Sequence, residues 1–328
     1  MADPSIEDLR SAAATGDAEA LTRLGEALVG ASEPAGLAEA AAALDRATRA
    51  GAVQAPAQLA MLFAMGAGVP HSWTTALDLL RIAAERGSQA ARGQLLVLAQ
   101  AGPDGAGSDG DDWAQLRGSI DPRGWSRLGA QTVIRKSPRI GLYEGFVSPA
   151  ACAWIMARAA DRITPAKVFN PNDAGLVVDD VRTNGAFQLG LADMDVVLAM
   201  LRFRIAALVG VAAEALEPPQ VLHYRVGQRF EEHFDFFDPS LPGHARDLTL
   251  GGQRIATCLV YLNADFEGGE TGFPILGQRC KPPTGGALCF FNVQPTGAPD
   301  RRTLHAGLAP TRGEKWIVSQ WIRDRSRA

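Results

Sequence analysis

Residues 251–273 read GGQRIATCLVYLNADFEGGETGF, an apolar run enclosed by two glycine pairs. The segment 254–263 has the β-branched and aromatic content of a strand, and the glycine pairs on either side are turn signals. Further short segments of the same kind follow at 286–292, 303–306 and 315–322, each bounded by Gly, Pro or Asn. Short strands separated by turns at this interval predict a β-sandwich or barrel.

Candidate metal ligands lie within this β-rich region. His233 and Asp235 are two residues apart, so on a strand their side chains would point to the same face. His305 follows about seventy residues after Asp235, and Lys315 ten residues after that. Two imidazoles and one carboxylate are the ligands expected of a mononuclear iron(II) centre with open positions. His-x-Asp alone is a weak pattern, but a metal site in the mouth of a barrel fits the jelly-roll group.

Four longer motifs surround these residues. They are VLHYRVGQRFEEHFDFF at 221–237, GGQRIATCLVYLNADFEGGETGF at 251–273, KPPTGGALCFFN at 281–292 and DRRTLHAGLAPTRGEKWIVSQW at 300–321. Together with Arg182-Thr-Asn184 upstream, they resemble the prolyl 4-hydroxylase family of 2-oxoglutarate- and iron(II)-dependent dioxygenases. The resemblance covers roughly 138–323 and implies a double-stranded β-helix, or jelly roll, with flanking helices.

The resemblance also implies roles for nine residues. The matches are His233, Asp235 and His305 to the iron ligands, Tyr224, Thr271 and Lys315 to the 2-oxoglutarate site, and Arg182, Arg254 and Trp321 to the substrate groove. Lys315 would pair with the far carboxylate of 2-oxoglutarate, because an unpaired buried charge is costly. The implied cofactors are iron(II), 2-oxoglutarate and O₂, with ascorbate as a candidate additional reductant, and the products are succinate and CO₂.

Two departures from the family pattern concern the substrate. Asn184 stands where the family often has serine, and 306–310 lacks the cysteine that often follows the distal histidine. Residues 238–252 are expected to form a loop that can close over substrate. The predicted substrate is a prolyl residue in a protein or peptide. The alternatives are another amino-acid residue, a small molecule, or a catalytically silent protein that binds partners through its repeats.

The N-terminal hundred residues have a different pattern. Residues 5–99 are rich in Ala and Leu at helical spacing, and Gly16, Gly51 and Gly87 each follow an Ala-rich helix, 35 and 36 residues apart. A helix at 57–63, a glycine turn at 66–70 and a helix at 76–87 resemble the Sel1-like branch of the tetratricopeptide repeats. The alternative is an ordinary helical bundle. Stacked repeats present a concave face that could dock a protein substrate.

The predicted fold class is therefore α+β, with an all-α helical-repeat domain before the jelly roll. Residues 101–112 are mostly Gly, Asp, Ala, Ser and Pro and read as a flexible linker. The predicted limits are 1–100 for the helical-repeat domain, 101–112 for the linker and 113–328 for the dioxygenase domain.

Charge and composition exclude several other classes. The net charge of −4 gives no reason to expect a basic surface that binds nucleic acid. We expect no secretory signal, because the first residues have no basic region followed by an apolar run. We expect no membrane span, because no apolar run is long enough. The four cysteines form no Cys-x-x-Cys pair and are predicted to be reduced thiols, in keeping with a cytoplasmic location.

Overall fold

The computed structural model describes residues 4–100, 112–169, 176–177 and 179–326. The chain divides into two compact units, one comprising Met1–Trp125 and Gly190–Leu201, the other Ser126–Leu189 and Arg202–Ala328. Residues 113–125 and 190–201, which the sequence-based limits place in the dioxygenase domain, group here with the first unit. The predicted linker lies outside the described residues except for Asp112.

Every regular element that the structure describes in the first unit is a helix. Its helices up to residue 125 are α1 (Ile6–Ala13), α2 (Ala18–Ala31), α3 (Pro34–Arg49), α4 (Ala55–Met65), α5 (Trp73–Glu85), α6 (Gln89–Ala99) and α7 (Trp113–Ser119). Several begin at a side-chain cap that accepts a hydrogen bond from the backbone N–H three residues later, namely at Ser5, Asp17, Ser72 and Ser88. The predicted helices are therefore present.

The glycines that were expected to end helices adopt the left-handed conformation. Gly16, Gly51 and Gly87 have φ values of 82°, 94° and 98°, which other residues rarely adopt. In the turn between α4 and α5, a Cβ on Gly68 would lie 2.3 Å from the backbone of Leu37, so only glycine fits there. This geometry is consistent with a helical repeat, and the Sel1-like assignment stays a prediction.

The rest of the described chain carries three further helices and all of the strands. The helices are α8 (Pro149–Ala159), α9 (Val196–Val209) and α10 (Pro242–Gly251). The strands are β1 (Gln131–Arg135), β2 (Ile140–Tyr143), β3 (Thr164–Pro165), β4 (Val168–Phe169), β5 (Leu176–Val177), β6 (Gly185–Gln188), β7 (Gln220–Tyr224), β8 (Phe230–His233), β9 (Arg254–Tyr261), β10 (Glu267–Gly268), β11 (Thr271–Phe273), β12 (Gln278–Cys280), β13 (Ala287–Phe291), β14 (His305–Gly307), β15 (Pro310–Arg312) and β16 (Lys315–Arg323). Among the described residues, no helix is both long enough and apolar enough to cross a bilayer.

The strands of the second unit form antiparallel sheets. The larger sheet has the order β1-β2-β13-β9-β16-β7-β6-β3, and a smaller sheet has the order β12-β11-β14-β8. Neighbouring strands are far apart in the chain, as in β9 between β13 and β16, so the connections cross over between strands. This topology confirms the predicted α+β class with a jelly-roll domain.

The core of the second unit draws on both sheets. Leu259 and Tyr261 of β9 and Ile317 of β16 come from the larger sheet, and Phe273 of β11 and Cys280 of β12 come from the smaller one. Side chains two residues apart share a face of a strand, so one face of β9 and of β16 points into this core. The same faces carry Leu259 of β9 and Lys315 of β16 to the site described below.

Two local expectations were wrong. Residues 242–251, expected to lie in a loop, form helix α10, whose first turn carries Pro242 at a position where proline is favourable. Strand β8 ends at His233, so Asp235 lies in the bend that follows and not on the strand with His233.

Candidate active site

Three predicted metal ligands meet in the second unit. His233 ends β8 and His305 begins β14, and the two are register partners on adjacent antiparallel strands. Asp235 reaches the same point from the bend after β8. One ligand atom from each of the three residues lies within 4.8 Å of the others. The three side chains are therefore close enough to bind a single metal ion.

The two imidazoles are oriented by backbone carbonyls. Nδ1 of His233 lies 2.7 Å from the carbonyl oxygen of Glu231, and Nδ1 of His305 lies 3.0 Å from that of Thr303. Because a carbonyl only accepts, each Nδ1 donates, and in the neutral form of the ring Nε2 then carries the lone pair that can bind a metal. Burial, reinforced by His305, lowers the pKa of His233 to about 3, so its ring is neutral at physiological pH.

Asp235 is held by a buried hydroxyl. Thr257 Oγ1 donates to Asp235 Oδ2 at 2.7 Å. Burial by itself would raise the pKa of Asp235, but the nearby imidazoles of His305 and His233 and the Thr257 hydrogen bond leave it below its ordinary value. The carboxylate is therefore ionised and able to bind a cation.

Lys315 places a buried cation in the same pocket. Its side chain is 0% exposed, and within the part of the chain that the structure describes its Nζ has no hydrogen-bond partner. The ammonium lies 4.8 Å from the centroid of the Tyr224 ring and 5.2 Å from that of Tyr261. Burial lowers the pKa of Lys315 to about 7. An unpaired buried cation is unfavourable, so this position favours binding of an anionic group.

Hydroxyl groups lie beside this lysine. Tyr261 Oη and Thr271 Oγ1 are 2.8 Å apart in a buried hydrogen bond. Burial raises the pKa of Tyr224 to about 12, so its phenol stays protonated and can donate. A Cβ on Gly307 would lie 3.0 Å from the Tyr224 hydroxyl oxygen, so glycine at 307 leaves this hydroxyl unobstructed.

One cavity joins the metal ligands, the lysine and the aromatic residues. It is lined by Arg182, Leu222, Tyr224, Phe230, His233, Asp235, Leu259, Thr271, His305, Gly307, Lys315, Ile317, Ser319 and Trp321. Four of these residues alternate along β16, from Lys315 to Trp321, as strand geometry predicts for a shared face. Eight of the nine predicted site residues line this cavity.

Arg182 is buried at the cavity wall. Its guanidinium donates to Asn184 Oδ1 at 3.3 Å, to the Lys167 carbonyl at 3.1 Å and to Gln220 Oε1 at 3.1 Å. It also lies 4.7 Å from the centroid of the Phe230 ring, and that ring stacks on His233 at 3.6 Å between centroids. Arg182 thus packs against a metal ligand through Phe230.

Arg254 is the predicted site residue that is not among the described residues lining the cavity. Its Nε and Nη2 donate to the two carboxylate oxygens of Glu217 at 2.7 and 2.9 Å. The guanidinium carbon also lies 3.7 Å from the Trp321 ring centroid. Arg254 therefore packs against Trp321, which lines the cavity. Its predicted contact with substrate stays a prediction, and this geometry favours a positioning role.

The chain is similar to known oxygenases and prolyl 4-hydroxylases. A family model described as the 2OG-Fe(II) oxygenase superfamily matches residues 219–323. Probable prolyl 4-hydroxylase 7 of Arabidopsis thaliana is 33% identical over 213 residues, 60% of this chain and 66% of the relative, so the chain spans slightly less than two thirds of that protein. Prolyl 4-hydroxylase 1 of the same plant is 34% identical over 208 residues, 59% of this chain and 72% of the relative.

This chain belongs to the 2OG-Fe(II) oxygenase superfamily. A solved structure, the viral collagen prolyl hydroxylase of Paramecium Bursaria Chlorella virus-1, is 27% identical, with a TM-score of 0.43 over 56% of this chain and 94% of that chain. As a member of this superfamily, the oxygenase is a 2-oxoglutarate-dependent dioxygenase that uses iron(II), 2-oxoglutarate and O₂, as the sequence predicted.

The side chains of the oxygenase fit these cofactors. The Nε2 atoms of His233 and His305 and the ionised carboxylate of Asp235 are suitable donors for iron(II). The orphaned ammonium of Lys315 is a suitable partner for a carboxylate of 2-oxoglutarate, with the hydroxyls of Tyr224 and Thr271 beside it.

The sequence reasoning missed three polar residues of the oxygenase site. Thr257 and Asn292 lie behind Asp235, and Tyr261 contacts Thr271. Thr257 and Tyr261 share a face of β9 with Leu259, so the alternation along that strand could have identified them once one inward residue was known. Asn292 follows the end of β13 and had no comparable signal.

Proposed function

We propose that this oxygenase hydroxylates a prolyl residue in a protein or peptide. Relatives that are about one third identical are named prolyl 4-hydroxylases, which supports this class of substrate. The observation that carries the chemistry is the buried, unpaired ammonium of Lys315 in one cavity with the three metal ligands. That arrangement suits a metal and an anionic co-substrate bound side by side.

Each group of residues has a distinct task in this proposal. His233, Asp235 and His305 hold iron(II), while Lys315 pairs with the far carboxylate of 2-oxoglutarate. When bound, these cofactors would supply an oxidation in which 2-oxoglutarate loses CO₂ and becomes succinate with one oxygen atom of O₂, while the other oxygen atom is inserted into a C–H bond of the substrate. The neutral ring of His233 and the protonated phenol of Tyr224 are the ionisation states that this binding needs.

The remaining wall of the cavity would receive the peptide. Trp321 has a buried Nε1–H without a hydrogen-bond partner in the described part of the chain, so it can donate to a backbone carbonyl of a bound peptide. Phe230 and Leu259 supply apolar surface for a pyrrolidine ring. The N-terminal helical unit is proposed as a docking surface for the protein substrate.

The test uses the full chain with iron(II), 2-oxoglutarate and ascorbate, and two peptides that differ only by alanine in place of proline. We expect succinate release that depends on the proline peptide, with one oxygen atom gained at the prolyl residue by mass spectrometry. Oxygen gained at another residue, or stimulation by a small molecule alone, would support the alternative hydroxylases. No turnover in iron-loaded protein would favour a silent binding protein.

Docking by the helical unit is tested separately. A longer substrate protein should have a lower KM than a short peptide containing the same prolyl site, because it can contact the helical unit as well. Equal KM values would contradict the docking role and leave the hydroxylase assignment intact.

A further inference from the structure

A chain of buried hydrogen bonds ends on the metal ligand Asp235. Asn292 Nδ2 donates to Thr257 Oγ1 at 3.0 Å, and Thr257 Oγ1 donates to Asp235 Oδ2 at 2.7 Å. Asn292, Thr257 and Asp235 are 0%, 1% and 5% exposed. None of these contacts is open to solvent, so each hydrogen bond acts in a low-dielectric interior.

The direction of the chain is determined by the donors and acceptors. An ionised carboxylate only accepts, so the single hydroxyl proton of Thr257 must go to Asp235. The Thr257 oxygen then has lone pairs left, and the amide N–H₂ of Asn292 supplies the matching donor. One arrangement therefore satisfies both contacts, and it depends on Asn292 presenting its nitrogen.

Asn292 has no other evident reason to be polar. Its Oδ1 is buried without a hydrogen-bond partner among the residues that the structure describes. Its backbone is already bonded, with its N–H donating to Ile255 at 2.9 Å and its carbonyl accepting from Asp300 at 2.9 Å. Burying an amide with an unpaired oxygen is unfavourable, and an apolar residue of similar size would avoid this. The donor that Asn292 gives to Thr257 is the contribution that only the amide makes.

Asp235 differs from the other two ligands in how it is held. His233 and His305 are positioned by the register of β8 and β14, but Asp235 lies in a bend beyond the strand. Thr257 lies on β9 between Phe290 and Trp321, its register partners on β13 and β16. The larger sheet therefore supplies the rigid support that the bend lacks.

We propose that Thr257 and Asn292 are positioning residues that orient Asp235 for the metal. Thr257 holds Oδ2, which leaves Oδ1 free of this hydrogen bond, and Asn292 fixes the direction of the Thr257 hydroxyl. The inference rests on the metal site of the proposed function and adds to it a support from the larger sheet.

The experiment measures the affinity of the metal-free full chain for Co(II), by competition with a chelator, and the visible spectrum of the Co(II) complex. Thr257→Val, which keeps the shape without the hydroxyl, should weaken affinity about 10- to 100-fold and change the spectrum. Thr257→Ser should retain both. Asn292→Leu should lower affinity less than Thr257→Val, and the double variant should be no weaker than Thr257→Val alone.

Unfolding of the metal-free variants separates positioning from general stability. Thr257→Val with the parent's affinity and spectrum would overturn the inference, whatever its unfolding temperature. If Thr257→Val does not fold, Asn292→Leu must still bind more weakly than Thr257→Ser, and equal affinities would overturn the inference. If the parent chain binds no Co(II), the metal site of the proposed function is contradicted. If the parent chain binds Co(II) and Thr257→Val binds it equally well, only the positioning role is contradicted.

Discussion

Lys315 and Tyr224 face each other as register partners on β16 and β7, with the lysine ammonium 4.8 Å from the centroid of the tyrosine ring. The ring lends some stabilisation to the cation, but it provides no hydrogen-bond acceptor equal to a carboxylate. Strand pairing thus holds an ammonium in the cavity with its hydrogen-bonding capacity unused. Several properties of the oxygenase depend on that group.

Replacing Lys315 with methionine should separate binding from stability. We expect 2-oxoglutarate binding to weaken about 100-fold or more, because a buried charge partner is lost, while Co(II) binding changes little. At pH 6 the cofactor-free variant should unfold at a higher temperature than the parent, because an unpaired buried cation has been removed. Calorimetry and thermal unfolding measure the two effects.

Lys281→Met is the matched control. This lysine donates to the Phe266 carbonyl and is not among the described residues lining the cavity, so 2-oxoglutarate affinity should change far less than in Lys315→Met. Unchanged affinity in Lys315→Met would show that another group holds the carboxylate.

The affinity for 2-oxoglutarate should depend on pH through Lys315. Because the pKa of Lys315 is lowered to about 7 in the free protein, the ammonium is lost as pH rises above that value. Binding must then take up a proton, and affinity should fall about tenfold per pH unit once the lysine is neutral. Titration calorimetry in buffers of different ionisation enthalpy detects this proton, and a pH-independent affinity would contradict it.

The free protein should show the matching trend in stability. Lys315 has its ordinary pKa in the unfolded chain and a lower one in the folded chain, so the unfolded chain binds more protons between the two values. The contribution of Lys315 therefore makes the cofactor-free protein more stable as pH rises from about 7 toward 10. The difference in unfolding free energy between the parent and Lys315→Met should shrink over this range.

His233→Ala and Asp235→Ala should each abolish measurable Co(II) binding and turnover with little loss of fold, because two ligands remain where three are needed. Metal content and circular dichroism provide the measurements. His223→Gln is the control, since His223 stacks on Trp316 and contacts Glu314 away from the cavity. Retained turnover in His233→Ala would contradict the assignment of His233 as a metal ligand.

Trp321→Phe should raise the KM for a substrate peptide about two- to tenfold, the worth of one hydrogen bond, with the KM for 2-oxoglutarate unchanged. The reason is the buried indole N–H, which has no partner in the described residues. Trp316 also lies on β16 and stacks on His223. Trp316→Phe should leave the KM for the peptide and the KM for 2-oxoglutarate equal to those of the parent. A peptide KM unaffected by Trp321→Phe would assign this tryptophan to packing alone.

Glu217→Gln should destabilise the fold on the order of 3 kcal/mol, because Arg254 and Arg323 would lose a shared buried carboxylate. Their charges hold the pKa of Glu217 below its ordinary value of 4.5 despite burial. This stabilisation is therefore complete above pH 4.5 and is lost as pH falls through the lowered pKa. Denaturant unfolding measures both effects.

The comparison variant is Glu267→Gln, whose partner Arg312 is well exposed. The free energy of unfolding of Glu267→Gln should fall by about 0–1 kcal/mol, which is typical of surface ion pairs. Equal losses in the two variants would show that the Glu217 cluster is no stronger than a surface ion pair.

The sequence alone determined the chemistry of the oxygenase. The order and spacing of the motifs identified His233, Asp235, His305 and Lys315, because metal and carboxylate binding demand particular side chains. Strand alternation also predicted that Lys315 and Trp321 share a face, which the cavity lining confirms. The structure brings these residues to one cavity, and the inferences that named them depend on residue type and on local strand geometry.

Only the tertiary structure decided which residues support those side chains. Thr257 reaches Asp235 across 22 residues of sequence, Asn292 reaches Thr257 across 35, and Arg254 pairs with Glu217 across 37. The end of β8 at His233 likewise depends on pairing with β14. Such contacts follow from how β9, β13 and β16 are ordered in the sheet, and no local pattern encodes that order.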